Sequence, residues 1–187
     1  MRGKALLETA EIIFSGDERK RIPFSSIRAV EAKDGELRLK TDEGIVVFEL
    51  GAPAEKWREK IANPKSVVEK LGVKPGETVA VVGKLDAEFL KKLKAQKSPV
   101  APGKIEGGIG WIFLGADARA ELGEVKKIAA KMKGSAALWV VYPKGQKHIT
   151  EIDVIDAGRK AGLKDVKVVG FSPTHTALKF VIPVEKR

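Results

Sequence analysis

The chain has 187 residues, of which 43% are hydrophobic and 32% are charged, and its formal net charge at pH 7 is +10. This composition excludes a disordered chain, and the absence of cysteine excludes disulfides, cysteine-ligated zinc and thiol nucleophiles. No run approaches the roughly 18 apolar residues of a membrane-spanning helix, and Glu8 interrupts the N-terminus too early for a signal peptide. We therefore expect a cytoplasmic protein with no membrane span, and the lysine- and glutamate-rich composition favours a thermophilic source.

The positive charge is concentrated in the second part of the chain. Residues 1–66 carry 13 basic and 12 acidic side chains, whereas residues 67–187 carry 22 basic and 13 acidic ones. Such an asymmetry can mark a surface that binds nucleic acid or another polyanion. The alternative is an ordinary lysine-rich surface. The scarcity of arginine after residue 66 favours that alternative, because arginine is the better bidentate ligand for phosphate.

The first fifty residues predict strands joined by tight turns. Residues 5–14 are extended and rich in apolar side chains. Asp34-Gly35 predicts a tight hairpin, and after it Leu37 and Leu39 alternate with charged residues, as in a strand with one buried face. Residues 22–30 predict a second strand region and residues 45–50 the last strand, so that about four strands are predicted in all.

A short amphipathic helix is predicted over residues 54–62, with Trp57 and Ile61 four residues apart on one face. Strands with tight turns followed by a helix with an inward tryptophan resemble a bacterial PH-like module, in which the helix caps an open, curved sheet. The resemblance implies a β-rich PH-like domain over residues 1–64. Because four strands are fewer than a PH barrel needs, either the module is reduced or a second copy completes it.

Residues 65–187 alternate strands with helices and predict an α/β domain. Continuous apolar runs predict buried strands at residues 78–83, 111–115 and 137–142, and helices are predicted over residues 66–71, 86–94, 117–132 and 150–161. The last two strands, at residues 166–171 and 177–182, are joined by a link too short for a parallel crossover, which predicts an antiparallel hairpin. Residues 97–108 are rich in lysine, proline and glycine and are predicted to be a loop.

Several side chains have predicted positions within these elements. Thr150 is predicted to be a helix N-cap, and Ile152 and Ile155 of the same helix are predicted to face inward. Trp111 and Trp139 fall inside apolar strands and are predicted to belong to the core.

This order of elements resembles the Rossmann-like methyltransferase fold. The likeness is carried by the Lys-Pro-Gly entry to the first strand at residues 74–76, by the strand that ends in Tyr-Pro-Lys at residues 142–144, and by the terminal hairpin. Residues 71–187 are also similar to a bacterial family known only as a domain of unknown function, in which the Tyr-Pro-Lys strand end and the final-strand pattern, here residues 175–180, recur. The resemblance implies a reduced Rossmann-like α/β domain over residues 65–187 and is silent on function.

The S-adenosylmethionine site of a methyltransferase is poorly matched. Such a site needs a glycine-rich turn after the first strand, so that the backbone can approach the ligand, and an acid after the second strand. Here only Gly83 stands in the turn, Lys84 and Leu85 would crowd the cofactor, and Glu106 is a weak candidate for the acid. No cofactor is predicted, and the sequence favours a protein that is not an enzyme.

Six residues are candidates for a ligand site: Tyr142, Lys144, Lys147, His148, Thr150 and His175. The first five lie at the carboxyl end of the predicted third strand, and ligands of open α/β sheets bind at the carboxyl ends of strands. The helix that begins after Thr150 offers free N–H groups, so an anion or a phosphate is the expected ligand. The alternative is a solvated loop with an ordinary N-cap. No metal site is predicted, because the two histidines lack cysteines or a second histidine at ligand spacing.

No catalytic constellation is visible in these residues. We therefore expect a non-catalytic interaction or regulatory protein that binds a protein partner or a small anionic ligand on a degenerate methyltransferase-like scaffold. The PH-like module would then mediate self-association or docking. The alternatives are nucleic-acid binding by the basic second domain and an S-adenosylmethionine-dependent enzyme.

Overall fold

The chain forms two compact units, Met1–Lys65 and Ser66–Arg187. The structure, a computed structural model, describes residues 2–8, 10–105 and 108–187, so the candidate acid Glu106 lies outside the described residues. One hydrophobic cluster forms the core of the first unit, and two clusters form the core of the second. No helix in the described ranges is both long enough and apolar enough to cross a membrane.

The first unit contains, in its described residues, six strands in two antiparallel sheets, followed by one helix. The strands are β1 (Gly3–Leu7), β2 (Glu11–Gly16), β3 (Arg19–Pro23), β4 (Ile27–Lys33), β5 (Glu36–Thr41) and β6 (Gly44–Glu49), and the helix is α1 (Pro53–Ala62). The sheets have the orders β1-β2-β3 and β4-β5-β6. The prediction of about four strands is wrong. One reason is that the apolar residues 5–14 suggest a single extended segment, whereas the chain turns after β1 and pairs it with β2.

The two-residue hairpin between β4 and β5 is confirmed. Asp34 and Gly35 have φ angles of 50° and 82°, the left-handed conformation that a type I′ turn requires at both central positions. This turn pairs Lys33 with Glu36 and thereby sets the register of the two strands. In that register Leu37 and Leu39 are fully buried, as the alternation of apolar and charged residues predicts.

Helix α1 packs against the core that these strands form. Its first residue is Pro53, whose missing N–H costs nothing in the first turn of a helix. Ala54 and Ile61 are buried, and Trp57 is half-buried against the same cluster. The predicted inward face of this helix is therefore confirmed.

The second unit is a six-stranded sheet with helices on both faces. Its strands are β7 (Val79–Val82), β8 (Val100–Pro102), β9 (Trp111–Gly115), β10 (Ala137–Pro143), β11 (Lys164–Gly170) and β12 (His175–Val181), and its helices are α2 (Val67–Leu71), α3 (Ala87–Ala95), α4 (Glu124–Ala129) and α5 (Glu151–Lys160). The strand order is β11-β12-β10-β9-β7-β8, with β12 antiparallel to both neighbours and the other strands parallel to one another. The predicted mixed α/β sheet with a terminal antiparallel hairpin is confirmed.

Two predicted segments of this unit differ from the structure. Residues 97–108 are not entirely a loop, because Val100–Pro102 pairs with the start of β7 as a short parallel edge strand. The helix predicted over residues 117–132 is shorter. It consists of a 3-10 turn at Arg119–Gly123 and helix α4, and Met132 lies beyond its end. An apolar period alone cannot separate a 3-10 turn from an α-helix that begins at the same place.

The prediction that Ile152 faces inward is also wrong. Ile152 is 71% exposed, whereas Val154 is fully buried and Ile155 is packed against the core. Residues two positions apart point to nearly opposite sides of an α-helix, so burial of Val154 turns Ile152 to solvent. Of the two tryptophans predicted to be core residues, Trp139 is fully buried but Trp111 is only half-buried. The indole Nε1 of Trp111 donates to Oε2 of Glu77 at 2.5 Å.

Gly158 determines how closely α5 approaches the sheet. A Cβ built on Gly158 would lie 2.0 Å from a ring carbon of Phe180, and that ring is fully buried. By contrast, a Cβ built on Gly123, a helical position with φ −58°, would meet nothing within 4 Å. Replacing each of the two glycines by alanine therefore separates the effect of core packing from the effect of helix propensity on stability.

We expect Gly158→Ala to lower the free energy of unfolding by about 1–3 kcal/mol, the usual cost of overpacking a core, even though alanine is the better helix former. Gly123→Ala is the matched control and should be neutral or stabilising by up to about 1 kcal/mol. Urea unfolding of both variants measures the difference. Equal stabilities would contradict the close packing of α5 on β12.

Candidate functional site

The candidate residues meet at one edge of the second unit's sheet. We call it the carboxyl edge and define it by the segments 83–86 after β7, 116–118 after β9, 144–150 after β10 and 172–175 before β12. Because β12 runs antiparallel to β10, its first residue, His175, pairs with Pro143 at the end of β10. This pairing brings His175 to the edge where Lys144 and His148 follow β10. The terminal hairpin therefore joins two groups of candidate residues that are far apart in sequence.

Asp117 is the residue on which both histidines converge. Its backbone carbonyl oxygen lies 3.0 Å from Nε2 of His148, and its carboxylate Oδ1 lies 3.3 Å from Nε2 of His175. Carbonyl and carboxylate oxygens accept, so Nε2 of each imidazole donates. The sequence analysis missed Asp117 by assigning it to the start of a helix. The available signal was its position two residues beyond a predicted buried strand, β9.

The other ring nitrogen of His175 is bonded as well. Nδ1 lies 2.9 Å from Oγ1 of Thr174. With Nε2 donating to Asp117, a neutral imidazole carries its lone pair at Nδ1, so the hydroxyl of Thr174 donates. The Oγ of Ser172 accepts from the backbone N–H of His175 at 3.0 Å. These bonds hold the turn before β12 and fix the plane of the imidazole.

Lys144 connects the loop after β10 to the turn before β12 by two hydrogen bonds. Its Nζ donates to the carbonyl oxygen of Ser172 at 2.7 Å, and its backbone N–H donates to the carbonyl oxygen of Thr174 at 2.8 Å. Lys147 is exposed, and the ion pairs among the described residues of this unit involve neither lysine. Both positive charges at this edge are therefore without a described acidic partner.

Tyr142 and Thr150, two of the predicted ligand residues, are engaged in the fold. The buried hydroxyl of Tyr142 donates to Oε2 of Glu151 at 2.9 Å. Burial, and then this carboxylate, raise the pKa of Tyr142 well above that of a free phenol, so the hydroxyl remains a fixed donor. Thr150 is the N-cap of α5, as predicted, and its Oγ1 accepts from the backbone N–H of Asp153 at 3.3 Å.

Asp153 completes a capping box at the start of α5. Its Oδ2 accepts from both the backbone N–H and the hydroxyl of Thr150, at 2.8 and 2.7 Å. Arg119 lies 3.0 Å from the same oxygen. The bonds from Thr150, and then Arg119, lower the pKa of Asp153. The charged carboxylate therefore holds the helix start on the exposed side of the carboxyl edge.

The turn after β7, where the resemblance implies a nucleoside cofactor, lies close to the end of β9. A Cβ built on Gly83 would be 2.5 Å from the carbonyl oxygen of Gly115, and one built on Gly115 would be 1.8 Å from the carbonyl oxygen of Lys84. The side chain of Leu85 packs against the core. The loop after β7 therefore lies directly on the end of β9. Only one glycine, Gly83, stands in this turn, so the turn lacks the glycine-rich backbone with which such a site approaches its ligand, and no methyl transfer is assigned to these residues.

Metal binding is not supported by the described side chains either. Within residues 2–8, 10–105 and 108–187, no group of three or more histidine, aspartate or glutamate side chains is placed to hold a metal ion. His148 contacts only the backbone of Asp117, so the carboxylate of Asp117 and the ring of His175 form a pair rather than a ligand set.

No protein-family model matches the chain, and no curated protein matches it. Among solved structures, a methyltransferase from Aquifex aeolicus that depends on S-adenosylmethionine is 17% identical with a TM-score of 0.45, over 67% of this chain and 93% of its own. A chain of the Haloferax volcanii complex between the Trm112 methyltransferase activator and a methyltransferase is 12% identical with a TM-score of 0.45, over 63% and 86%. A Pyrococcus furiosus methyltransferase is 14% identical with a TM-score of 0.41, over 62% and 79%. These likenesses are distant, so the residues of this chain alone decide what its carboxyl edge can do.

We expect Thr150→Ala to lower the free energy of unfolding by about 0.5–2 kcal/mol, the usual cost of losing an N-cap. Thr150→Ser keeps the hydroxyl and is the matched control, with little loss expected. The lowered pKa of Asp153 means that its contribution is present above the pKa of an unfolded aspartate and is lost as the pH falls through the folded value. Urea unfolding at neutral and acidic pH measures both effects. A Thr150→Ala variant as stable as Thr150→Ser at neutral pH would contradict the cap.

Proposed function

We propose that the second unit is a non-catalytic domain that binds a small anionic ligand at the carboxyl edge. The observation that carries this proposal is the pairing of β10 with β12, which brings His175 beside the segment that holds Lys144, Lys147 and His148. Cationic and donor side chains from two distant parts of the chain therefore face one edge. A regulatory role would follow from the effect of that ligand on the domain.

An anion suits this edge better than a cation. Lys144 and Lys147 have no described acidic partner, and Lys84 and Lys104, which follow β7 and β8, are exposed. Helix α5 also begins here, and the first turn of a helix carries a partial positive charge. Three carboxylates contact candidate residues, and each already accepts a hydrogen bond: Asp117 from His175, Glu151 from Tyr142 and Asp153 from Thr150.

The non-catalytic part of the proposal rests on how the reactive groups are used. The phenol of Tyr142 stays protonated, and its hydroxyl is bonded to Glu151. Both ring nitrogens of His175 are bonded within the edge, and the turn after β7 has a single glycine where a nucleoside site needs several. These groups hold loops in position, so ligand binding is assigned to the N–H groups of Lys144 and Lys147, which have no described acidic partner.

For the first unit we propose a PH-like docking module. Its two three-stranded antiparallel sheets and the helix α1 on their core support that interpretation. Ile45 and Val47 of β6 are 67% and 45% exposed. Adjacent exposed apolar side chains on one strand favour contact with another protein surface, and a second copy of this chain is the simplest partner.

The carboxyl-edge site is tested by binding of inorganic phosphate to the full chain. At constant ionic strength, phosphate should raise the Tm in a saturable way, because a ligand that binds only the folded state stabilises it. Lys144→Met combined with Lys147→Met should weaken the apparent affinity roughly tenfold or more, since each hydrogen bond to a charged group contributes about 1.5–3 kcal/mol. Lys133→Met, an exposed lysine before β10 at the opposite edge, is the control and should change nothing.

Three other outcomes of this experiment would each contradict the proposal. A rise in Tm with S-adenosylmethionine that exceeds the rise with phosphate would support an enzyme. Tighter binding to RNA than to phosphate, with a steep dependence on salt, would support a nucleic-acid-binding protein. An equal loss of affinity in the Lys133→Met control would show a general effect of net charge rather than a site.

The docking role predicts self-association of the full chain. We expect sedimentation velocity to show a dimer at micromolar concentration, and Ile45→Glu combined with Val47→Glu to shift the chain to a monomer. Val184→Glu is the control, because Val184 is 75% exposed in the second unit and should not affect association. A wild-type chain that is monomeric at all concentrations would contradict self-association through β6.

A further inference from the structure

A second group of cationic side chains lies away from the carboxyl edge, on the face of the sheet that α2 and α3 cover. Lys179 of β12 is paired in register with Trp139 of β10 on one side and with Lys167 of β11 on the other. Directly paired residues of neighbouring strands point to the same face. The three side chains therefore stand in a row, and Trp139 belongs to the core cluster under α2 and α3. We call Lys167, Lys179, Trp111 and Trp139 the lysine–tryptophan cluster.

Lys179 lies over two indole rings. Its Nζ is 4.8 Å from the ring centroid of Trp111 and 5.8 Å from that of Trp139. Both distances allow a cation–π attraction, which holds the ammonium against the rings without satisfying its N–H groups. Lys167 is held differently, because its Nζ donates to the carbonyl oxygen of Lys70 at 3.1 Å, near the C-terminal end of α2. Each ammonium is thereby held in place and keeps N–H groups for which the described residues provide no acceptor.

The polar groups of the cluster that lack a described hydrogen-bond partner are all donors. An ammonium has three N–H groups, and Lys167 uses one of them on Lys70. The ion pairs in the described part of this unit involve neither Lys167 nor Lys179. Nε1 of Trp139 is buried and has no hydrogen-bond partner, which is costly for a buried donor. Glu77 already accepts from Nε1 of Trp111, so the groups of the cluster that still lack an acceptor are Nε1 of Trp139 and the ammonium N–H groups. Beside two lysines, the missing acceptor is an anion.

The electrostatics of the cluster lead to the same conclusion. Burial, and then the neighbouring charge of Lys167, lower the pKa of Lys179. Burial also lowers the pKa of Lys70. Lys179 is half-buried and Lys167 is exposed. Their like charges oppose each other, and an anion between them would offset that repulsion.

We propose that the lysine–tryptophan cluster binds a small oxyanion, a carboxylate or a phosphate, between the Nζ atoms of Lys167 and Lys179. The oxygens of the anion would accept the free N–H groups, and the indole rings would form the apolar wall of the site. The site is separate from the carboxyl edge. Lys179 lies four residues beyond His175 along β12, which corresponds to roughly 13 Å in an extended strand.

Tryptophan fluorescence of the full chain tests this site directly. The chain has three tryptophans, so in a Trp57→Phe background both that remain belong to the cluster. Inorganic phosphate, and acetate in a parallel titration, should change the emission in a saturable way at an ionic strength held constant with chloride. Lys179→Met and Lys167→Met should each weaken the apparent affinity for phosphate roughly tenfold, the usual effect of losing a charged hydrogen-bond partner. Lys160→Met, an exposed lysine of α5 on the opposite face, should leave it unchanged.

A second measurement needs no lysine variant. Iodide is an anionic quencher and acrylamide is a neutral one, and in the Trp57→Phe chain we expect phosphate to protect the emission against iodide but not against acrylamide. Absence of that protection would overturn the proposal whether or not the lysine variants fold. A linear response that chloride reproduces in every variant would show an adventitious ion only and would overturn it as well.

The two anion sites are distinguished by testing the lysine variants of each site in the assay designed for the other. The phosphate affinity measured by fluorescence should be unchanged in Lys144→Met combined with Lys147→Met and roughly tenfold weaker in Lys179→Met. The reverse pattern would place the phosphate at the carboxyl edge, which would overturn this inference and support the proposed function. A fluorescence response that depends on Lys179, together with a phosphate-induced rise in Tm that the Lys144 and Lys147 substitutions do not weaken, would support this inference and contradict the proposed function.

Discussion

The position of β12 between β10 and β11 is the constraint on which the second unit depends. Because β12 runs against both neighbours, its first residue lies at the carboxyl ends of the parallel strands, and its later residues lie along the sheet face. One strand thus places His175 beside the loop after β10 and Lys179 beside Trp139. The same strand supplies Phe180, whose ring contacts the helix at Gly158. Its register therefore determines both candidate sites and the approach of α5.

A second constraint is the close approach of the loop after β7 to the end of β9. In a dinucleotide-binding domain, glycines after the first strand let the backbone approach a pyrophosphate. Here Gly83 and Gly115 allow a close approach of a different kind, because the carbonyl oxygens of Lys84 and Gly115 occupy the space that side chains would need. The half-buried side chain of Leu85 packs against the core beside this contact.

Local sequence signals predicted the structure correctly where a residue type serves one structural role. Asp34-Gly35 adopts left-handed φ angles that few other pairs tolerate, and Thr150 caps a helix through bonds within three residues. The prediction failed where long-range pairing decides. Val100–Pro102 is a strand only because β7 offers an unpaired edge, and Asp117 matters only because β12 brings His175 to it. The candidate site was therefore found in part, by its lysines and histidines, without the acid that connects them.

The distribution of lysines favours small ligands over a long polyanion. A nucleic acid must follow a continuous row of charges, and its affinity depends on many exposed phosphate contacts. In the second unit Lys144 and Lys147 lie at an edge of the sheet, whereas Lys179 lies on a face, half-buried against indole rings. Lys179 and the edge lysines therefore belong to separate groups and not to one continuous row. Under the two proposals, each group would bind its own small anion through N–H groups that the fold leaves unpaired.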